Sequence, residues 1–401
     1  MDRGPVQPEA DAEATIVITN HNYASFLPEA LESALAQTDP RTSVVAVDDG
    51  SSDASSEVLA RYENRVQVLL QEKKGQSAAM NAGFAASRGD IVVFLDADDL
   101  IDPDTVETAI RHMGDKVVKV SWPLRVIDRH GHPNGEVKPP HELGNGDQLD
   151  ALIEFGPDNL AWAPTSGNAW RRTFLDSVMP LPEPELGMKI GSASADAYLS
   201  MLAPLFGEVS SIPRPSGCYR VHGDNDHSAM SFPRRLTRDL QLFDMRTELL
   251  ERFCRERGIA VDPSIWRARS GFYRLQRAVT ELKKLVDPGE TFALIDDGVW
   301  GRDVHAVLGS VPFLEREGIY WGPPADDASA IEEVKKLLER NITIVAIAWT
   351  SFWWLKHYPG FASVLNERGV RLHESDVLRV FSLDPSLVAA PRARGGRSFS
   401  S

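Results

Sequence analysis

The sequence predicts an α/β protein: a mostly parallel sheet with flanking helices, then a helical segment, then a smaller α/β domain. Three observations predict it. Short β-branched runs alternate with amphipathic stretches as far as Leu95, Arg234–Leu285 is long, charged and periodic, and strand–helix alternation resumes after Pro288-Gly289. At 401 residues the chain has room for two to three domains.

The elements follow in order. Thr15–Thr19 reads as a buried strand, and Pro28 opens a helix whose Leu27, Ala30, Leu31, Ala34 and Leu35 share a face. Ser43–Asp48 is the next strand, Ser51–Tyr62 a helix, Val66–Leu70 a strand, Gln76–Ser87 a helix and Ile91–Leu95 a fourth strand. Continuous apolar strands joined by helices imply a parallel sheet covered on both faces. Beyond Asp102-Pro103, a strand at Lys116–Trp122 precedes glycine- and proline-rich loops from His130 to Gly146. A helix over about Ser194–Leu205 and a strand at Glu208–Ile212 follow. In the last third, Thr291–Ile295, Ile342–Trp349 and Val377–Leu383 read as strands. Ile331, Val334, Leu337 and Leu338 line a helix on which Glu332 stands four residues before Lys336, and Gly369 closes a further helix. The expected divisions are a disordered 1–13, a larger α/β domain at 14–232, helices at 233–287, an accessory α/β domain at 288–386 and a disordered basic tail at 387–401.

Acidic residues outnumber basic ones 58 to 43, a net charge of −15, which argues against a general nucleic-acid binder. Two cysteines, Cys218 and Cys254, make a disulfide scaffold an unneeded reading. The first residues lack the apolar core of a signal peptide, and no apolar run is long enough to span a bilayer. A soluble, cytoplasmic protein is expected, with peripheral membrane contact and oligomeric state left open.

Ligands of open parallel sheets bind outside the carboxyl ends of the strands. Here those ends are Thr19-Asn20-His21-Asn22, Asp48-Asp49-Gly50-Ser51-Ser52-Asp53 and Asp96-Ala97-Asp98-Asp99. Turn and cap chemistry explains any one of them. It explains three together less well, because clustered carboxylates repel unless a cation or donors compensate.

The segments VITNHNYASFLPEALESALAQ, VVAVDDGSSD, GQSAAMNAGFAASRGDIVVFLDADD and YRVHGDND resemble the family-2 glycosyltransferases of the GT-A fold, in the right order and spacing over roughly the first 230 residues. The resemblance implies a nucleotide-sugar donor, a UDP-sugar first, a hydroxyl acceptor such as a carbohydrate, and a divalent metal, Mn²⁺ or Mg²⁺. Such an ion neutralises the departing diphosphate, and hard cations want carboxylate oxygens. In the Asp96-Ala97-Asp98 motif, Asp98 is implied as the direct ligand, with Asp96 nearer the ribose or a metal-bound water. Asp99 either joins them or starts the next turn. Thr19, with Asn20 and Asn22, and either Asp48 or Asp49 fall where the base and ribose bind. Asn81 matches a nucleotide contact, while Lys73, Lys74 and Gln76 face the phosphates or solvent. Asp196 matches the catalytic base, although the usual acidic pair is here Ala195-Asp196. His222 matches a histidine near the metal or diphosphate. Ser166, Gly167 and Asn168 match an acceptor-lining segment, where Trp162 or Trp170 either stacks on a sugar or packs in the core.

The last third matches no transferase motif. Its Trp321, Trp349, Phe352, Trp353, Trp354 and Tyr358 read first as core and seam, with carbohydrate recognition as the other option. Two other functions compete. A nucleotidyltransferase would need a basic glycine-rich loop after the first strand, where NHNYASF stands. A non-catalytic glycan-binding protein has no evident need for Asp96, Asp98, Asp196 and His222 together.

Overall fold

The computed structural model describes residues 12–158, 162–182, 195–222 and 230–383. The chain divides into two compact units, one comprising residues up to 229 with Gln241–Trp266, the other 230–240 with the remainder from Arg267. The expected termini at 1–13 and 387–401 fall almost wholly outside the described residues.

In the first unit, β1 (Ala14–Asn20), α1 (Leu27–Leu35), β2 (Thr42–Asp49), α2 (Ser55–Ala60), β3 (Gln67–Gln71), α3 (Gln76–Ala86) and β4 (Ile91–Asp96) alternate as the sequence predicts. After β5 (Leu100–Ile101) and α4 (Thr105–His112) come β6 (Val117–Ser121), β7 (Leu124–Ile127), β8 (Pro133–Lys138) and α5 (Leu149–Phe155). The unit continues through β9 (Asn168–Arg171), α6 (Arg172–Val178), α7 (Ala195–Leu202), β10 (Glu208–Ser211) and β11 (Gly217–Arg220).

A seven-stranded sheet runs β10-β6-β9-β4-β1-β2-β3. It is parallel except for β9, which lies antiparallel between β4 and β6. The strands β1, β2 and β4 are buried along nearly their whole length, as β-branched runs covered on both faces must be. Close packing of α3 on the sheet depends on Gly83, where a Cβ would stand 2.2 Å from Val17 Cγ1. Registration levels the functional ends: Asn20 pairs with Asp48, and Thr19 with Asp96.

A second sheet, β5-β11-β7-β8, lay hidden in the loop-like middle of the sequence. Part of the expected 130–146 loop is β8, an exposed strand of NG and charged residues that carries no apolar alternation. Pairing of Gly217 with Ile101 and Cys218 with Leu100 brings the distant YRVH segment beside the end of β4.

The helix α8 (Phe232–Glu256) contributes to each unit, and α9 (Pro263–Arg269) and α10 (Gly271–Leu285) follow it. The second unit then has β12 (Phe292–Ile295), α11 (Asp303–Leu308), β13 (Ser310–Pro312) and the hairpin of β14 (Glu315–Arg316) and β15 (Ile319–Tyr320). It ends with α12 (Asp327–Glu339), β16 (Ile344–Ala348), α13 (Trp354–His357), α14 (Pro359–Glu367), β17 (Gly369–Glu374) and β18 (Leu378–Leu383). Its sheet runs β13-β12-β16-β18-β17, with β12 parallel to both neighbours. Alternation along β12 feeds two cores: Ala293 and Ile295 pack with Val334 and Phe361, whereas Phe292 and Leu294 pack with Leu282 and Val304. On α12, Glu332 pairs with Lys335 and Glu333 with Lys336, both three residues apart, instead of Glu332 with Lys336. Gly369 directly follows Arg368, the C-cap of α14, and also opens β17; a Cβ there would stand 2.6 Å from the Leu365 carbonyl.

Candidate active site

The polar ends of β1, β2 and β4 surround a cavity of about 580 Å³. Thr19, Asn20, His21, Asn22, Tyr23, Phe26, Asp49, Lys73, Gln76, Asp96, Asp98, Asp99, Arg129 and Tyr219 are among its lining residues. This is the size of a small-molecule site.

The two aspartates after β2 have separate duties. Asp48 faces inward and accepts Asn20 Nδ2 at 2.6 Å, Ser51 Oγ at 2.5 Å and the Ser51 amide at 3.1 Å. A buried carboxylate survives only with such donors, so Asp48 holds the turn and stands outside the cavity lining. Asp49 lines the cavity while accepting the amides of Lys74 (2.8 Å) and Gly75 (2.7 Å) and Gln71 Nε2 (2.7 Å). It thereby fixes the approach to α3. His21 donates from Nδ1 to the Asp49 carbonyl (2.8 Å) and accepts Lys73 Nζ at Nε2 (2.6 Å). An ammonium can only donate, so the neutral ring carries its proton on Nδ1. In the sequence the only signal for His21 is its place between Asn20 and Asn22.

At the end of β4 the three acids diverge. Asp96 accepts Gln76 Nε2 at 2.6 Å and Thr19 Oγ1 at 3.4 Å. Asp98 takes His222 Nε2 at 2.9 Å, and the imidazole packs against Phe26 and Tyr23. Asp99 is 1% exposed and accepts the Arg220 amide (2.9 Å) and Ser166 Oγ (2.7 Å), so it braces the turn. Arg220, also buried, donates Nε to the Asp98 carbonyl at 2.9 Å and pairs with Glu29 at 2.8 Å. No sequence reading singled out Arg220, because it acts through a contact 122 residues away.

Charge is concentrated here. Burial, and then the charges of Asp98 and Asp196, push Asp96 up to about 7. Burial raises Asp99 well above the carboxylate range, with Asp98 and Asp96 adding to it. Burial lifts Asp196 to about 6, opposed by its own helix-end amides and by Lys119 and Arg246. Lys119 is itself buried, donates to Ser200 Oγ at 2.9 Å, lies 5.3 Å from the centroid of the Trp170 ring, and is lowered to about 7 by burial. Such a cluster suits a cation. Carboxylate oxygens and one imidazole nitrogen form a donor set for a divalent ion. Among the described residues, however, no three His, Cys, Asp or Glu side chains are already arranged around one point.

Several expected contacts lie elsewhere. Asn81 spends its amide on Leu181, donating to the carbonyl at 3.0 Å and accepting from the amide at 2.7 Å. Ala97 is fully buried, continuing the strand by a bond to the Thr19 carbonyl. Ser166, Gly167 and Asn168 are buried rather than open to an acceptor. Ser166 bridges the Asp96 amide to Asp99, and Asn168 is bonded to Ser121 and to the carbonyls of Ala163, Pro164 and Thr165. A Cβ at Gly167 would stand 2.7 Å from the Trp122 carbonyl, so this glycine serves backbone packing. Trp162 is partly buried with Arg246 near its ring, and Trp170 is core, stacked on Phe174. The residues Gly223–Asp226 of the YRVHGDND motif lie outside the described residues.

Residues 15–156 match the family model for glycosyl transferase family 2. An uncharacterised glycosyltransferase of Nostoc sp. is 31% identical over 220 residues, 53% of this chain and 66% of that protein. The undecaprenyl-phosphate 4-deoxy-4-formamido-L-arabinose transferase of Pseudomonas syringae is 40% identical over 237 residues, 54% of this chain and 61% of that protein. The chain thus spans just under two thirds of these relatives' lengths. Among solved structures, Staphylococcus aureus TarS 1-349 in complex with UDP-GlcNAc aligns over 68% of this chain and 76% of that one, at 16% identity and a TM-score of 0.49. The chain carries a family-2 glycosyltransferase domain. No helix among the described residues is long and apolar enough to cross a membrane.

Proposed function

We propose that this family-2 domain transfers a sugar, with inversion, from a nucleotide-sugar to an acceptor hydroxyl, assisted by a divalent metal. The observation that carries the reading is the cavity itself, where three levelled strand ends place Thr19, Asn20, Asp49, Asp96 and Asp98, and the start of α3 places Gln76, around one space. The nucleotide lies across the ends of β1 and β2, and Asp49, not the enclosed Asp48, is the carboxylate available to it. A UDP-sugar is the first donor to test, because a carboxylate there can accept the imide N–H of uracil.

Asp98 and His222 would hold the metal, Mn²⁺ or Mg²⁺, with Asp96 beside them. When bound, the ion neutralises charge on the departing diphosphate. Lys73 and Gln76 face the same space, one supplying positive charge and the other positioning Asp96. Asp196 takes the acceptor proton. Burial raises its pKa toward neutrality, which makes it a better base than an exposed aspartate while leaving it largely ionised at pH 7. Attack from the side opposite the leaving diphosphate inverts the anomeric centre.

A hydrolysis and transfer screen of UDP-, GDP- and dTDP-sugars, each with Mn²⁺, Mg²⁺ and EDTA, tests this. Turnover of one donor that requires metal and is lost in Asp98→Ala supports it. Absence of turnover with every donor, or full activity in EDTA, rejects it.

A further inference from the structure

In the second unit, β12 has β13 on one side and β16 on the other, so the chain reverses its direction of travel across the sheet at β12 and β16. Ligands of open α/β sheets bind outside the carboxyl ends of strands at such a reversal. The residues delivered there are unusual. Asp296 is consumed by the turn, accepting the amides of Gly298 (3.1 Å) and Trp300 (2.9 Å). Asp297 has a left-handed backbone, φ 54°, and its half-buried carboxylate gathers three neutral aromatic donors. These are Tyr320 OH at 3.0 Å and Trp354 Nε1 at 2.9 Å on Oδ1, and Trp353 Nε1 at 2.8 Å on Oδ2.

The two tryptophans differ. Trp354 is fully buried in the core with Phe313 and Phe361, whereas Trp353 meets the His357 ring edge-on at 5.4 Å and the tilted Tyr358 ring at 6.0 Å and is still 43% exposed. Val299, 65% exposed, adds an apolar edge beside the turn. Core packing accounts for Trp354 and leaves the exposure of Trp353 and Val299 unexplained.

We propose that this edge is a carbohydrate-binding site, with the Trp353 indole stacked on the apolar face of a sugar ring and Asp297 Oδ2 accepting a sugar hydroxyl. A carboxylate oxygen accepts more than one hydrogen bond, and among the described residues Oδ2 has one donor against two on Oδ1. An indole offers a large rigid face at little entropic cost, with its N–H here fixing its plane against Asp297. The three donors already turn their positive ends toward the carboxylate, which favours a further neutral hydroxyl over a bare cation. The choice of a sugar also draws on the proposed transferase activity, whose acceptor or product would be such a molecule.

Ligand-observed saturation-transfer NMR on the full chain, without donor or metal, tests it with the methyl glycosides of glucose, galactose, mannose and N-acetylglucosamine. At least one should show saturation at its ring protons in wild type, in Trp353→Phe and in Asp98→Ala. Trp353→Ala and Asp297→Asn should weaken it about tenfold or more, the loss expected on removing a central contact. Thermal denaturation checks that the variants fold, and Trp353→Phe keeps a stacking face if Trp353→Ala does not. No saturation from any glycoside, saturation indifferent to Trp353→Ala, or a response to choline instead of sugars would overturn the site. Loss of saturation in Asp98→Ala would place the sugar in the first unit and also overturn it. Failure here with metal-dependent donor turnover intact would leave the transferase reading standing.

Discussion

Both units place Asp-Asp-Gly at the carboxyl end of an inner strand, Asp48–Gly50 at the end of β2 and Asp296–Gly298 after β12. The local solution is shared. The first aspartate caps the turn, binding the Ser51 amide in one case and the Gly298 and Trp300 amides in the other. The glycine takes a positive φ, 65° at Gly50 and 71° at Gly298. At Gly50 a Cβ would also meet the Lys73 amide at 2.6 Å, so the requirement is steric as well as conformational. The second aspartate is where the two part. Asp49 receives backbone amides and faces a space crowded with the acids of β4, while Asp297 receives aromatic N–H and O–H groups. The same tripeptide therefore does not set the chemistry. Other segments of the same unit do: the end of β4 delivers carboxylates in the first, and the segment after β16 delivers Trp353 and Trp354 in the second.

The sharpest way to break this contrast is to remove the charge that only the first edge concentrates. Chelation should abolish sugar transfer and Mn²⁺ should restore it, and Asp98→Ala should lower turnover by about 10³-fold, several kcal/mol of transition-state stabilisation. Donor affinity should fall with it, as read by calorimetry. Turnover that survives both treatments would make the two edges electrostatically equivalent.

Next in size is the base. Asp196→Asn preserves shape and removes basicity, and turnover should fall about 10²–10⁴-fold with donor binding nearly unchanged. An equal loss of donor binding would place Asp196 in the donor site.

A third test addresses what the edges share. Asp48→Ala leaves the buried Asn20 side-chain amide only its longer bond to Ser51 Oγ at 3.1 Å, and Asp296→Ala strands the buried Trp300 amide. Each should cost about 1–3 kcal/mol, the penalty for a buried donor that loses its carboxylate partner. Denaturant unfolding followed by circular dichroism reads both. Markedly unequal losses would mean that the resemblance of the two turns is only in sequence.

What could be read from sequence follows the range over which each signal acts. Continuous runs such as Ile91–Leu95 announce themselves, because burial on both faces dictates every residue. The antiparallel β9 does not: Asn168-Ala-Trp-Arg is four residues long, and its pairing with β4 is decided by strands 70 or more residues away. Asp96, Asp98 and Gln76, which motif and strand end single out, all line the cavity. Asn81 and the Ser166–Asn168 segment were misplaced because a polar residue near a ligand and one bracing the backbone look alike until partners are known. Arg220 and Lys119 were invisible for the converse reason. Each is a charged residue whose partners come from distant segments, on Asp98 for one and on Ser200 for the other.

Lys119 gives the smallest effect and the finest test of how the first edge manages its charge. Asp196 stands near Lys119 and Arg246, which favour its ionised form, while its own charge is among those that raise Asp96. Its pKa of about 6 means that below pH 6 it is protonated in the folded protein and cannot accept the acceptor's proton. Turnover should therefore rise with pH through about 6 and level above it. At that pH Lys119, lowered to about 7, is still mostly charged and supports the carboxylate. Lys119→Met removes this support without adding a buried polar group, so the rising limb should move to higher pH, by a fraction of a unit to about one unit. Lys119→Arg, with a charge that does not titrate in this range, should hold the limb near its original place even if packing against Trp170 lowers the maximal rate. A purely structural lysine would change the height of the pH–rate curve in both variants and leave its midpoint where it was. A midpoint that moves in the methionine variant alone would show that the first edge, unlike the aromatic one, is tuned by a buried cation behind its base.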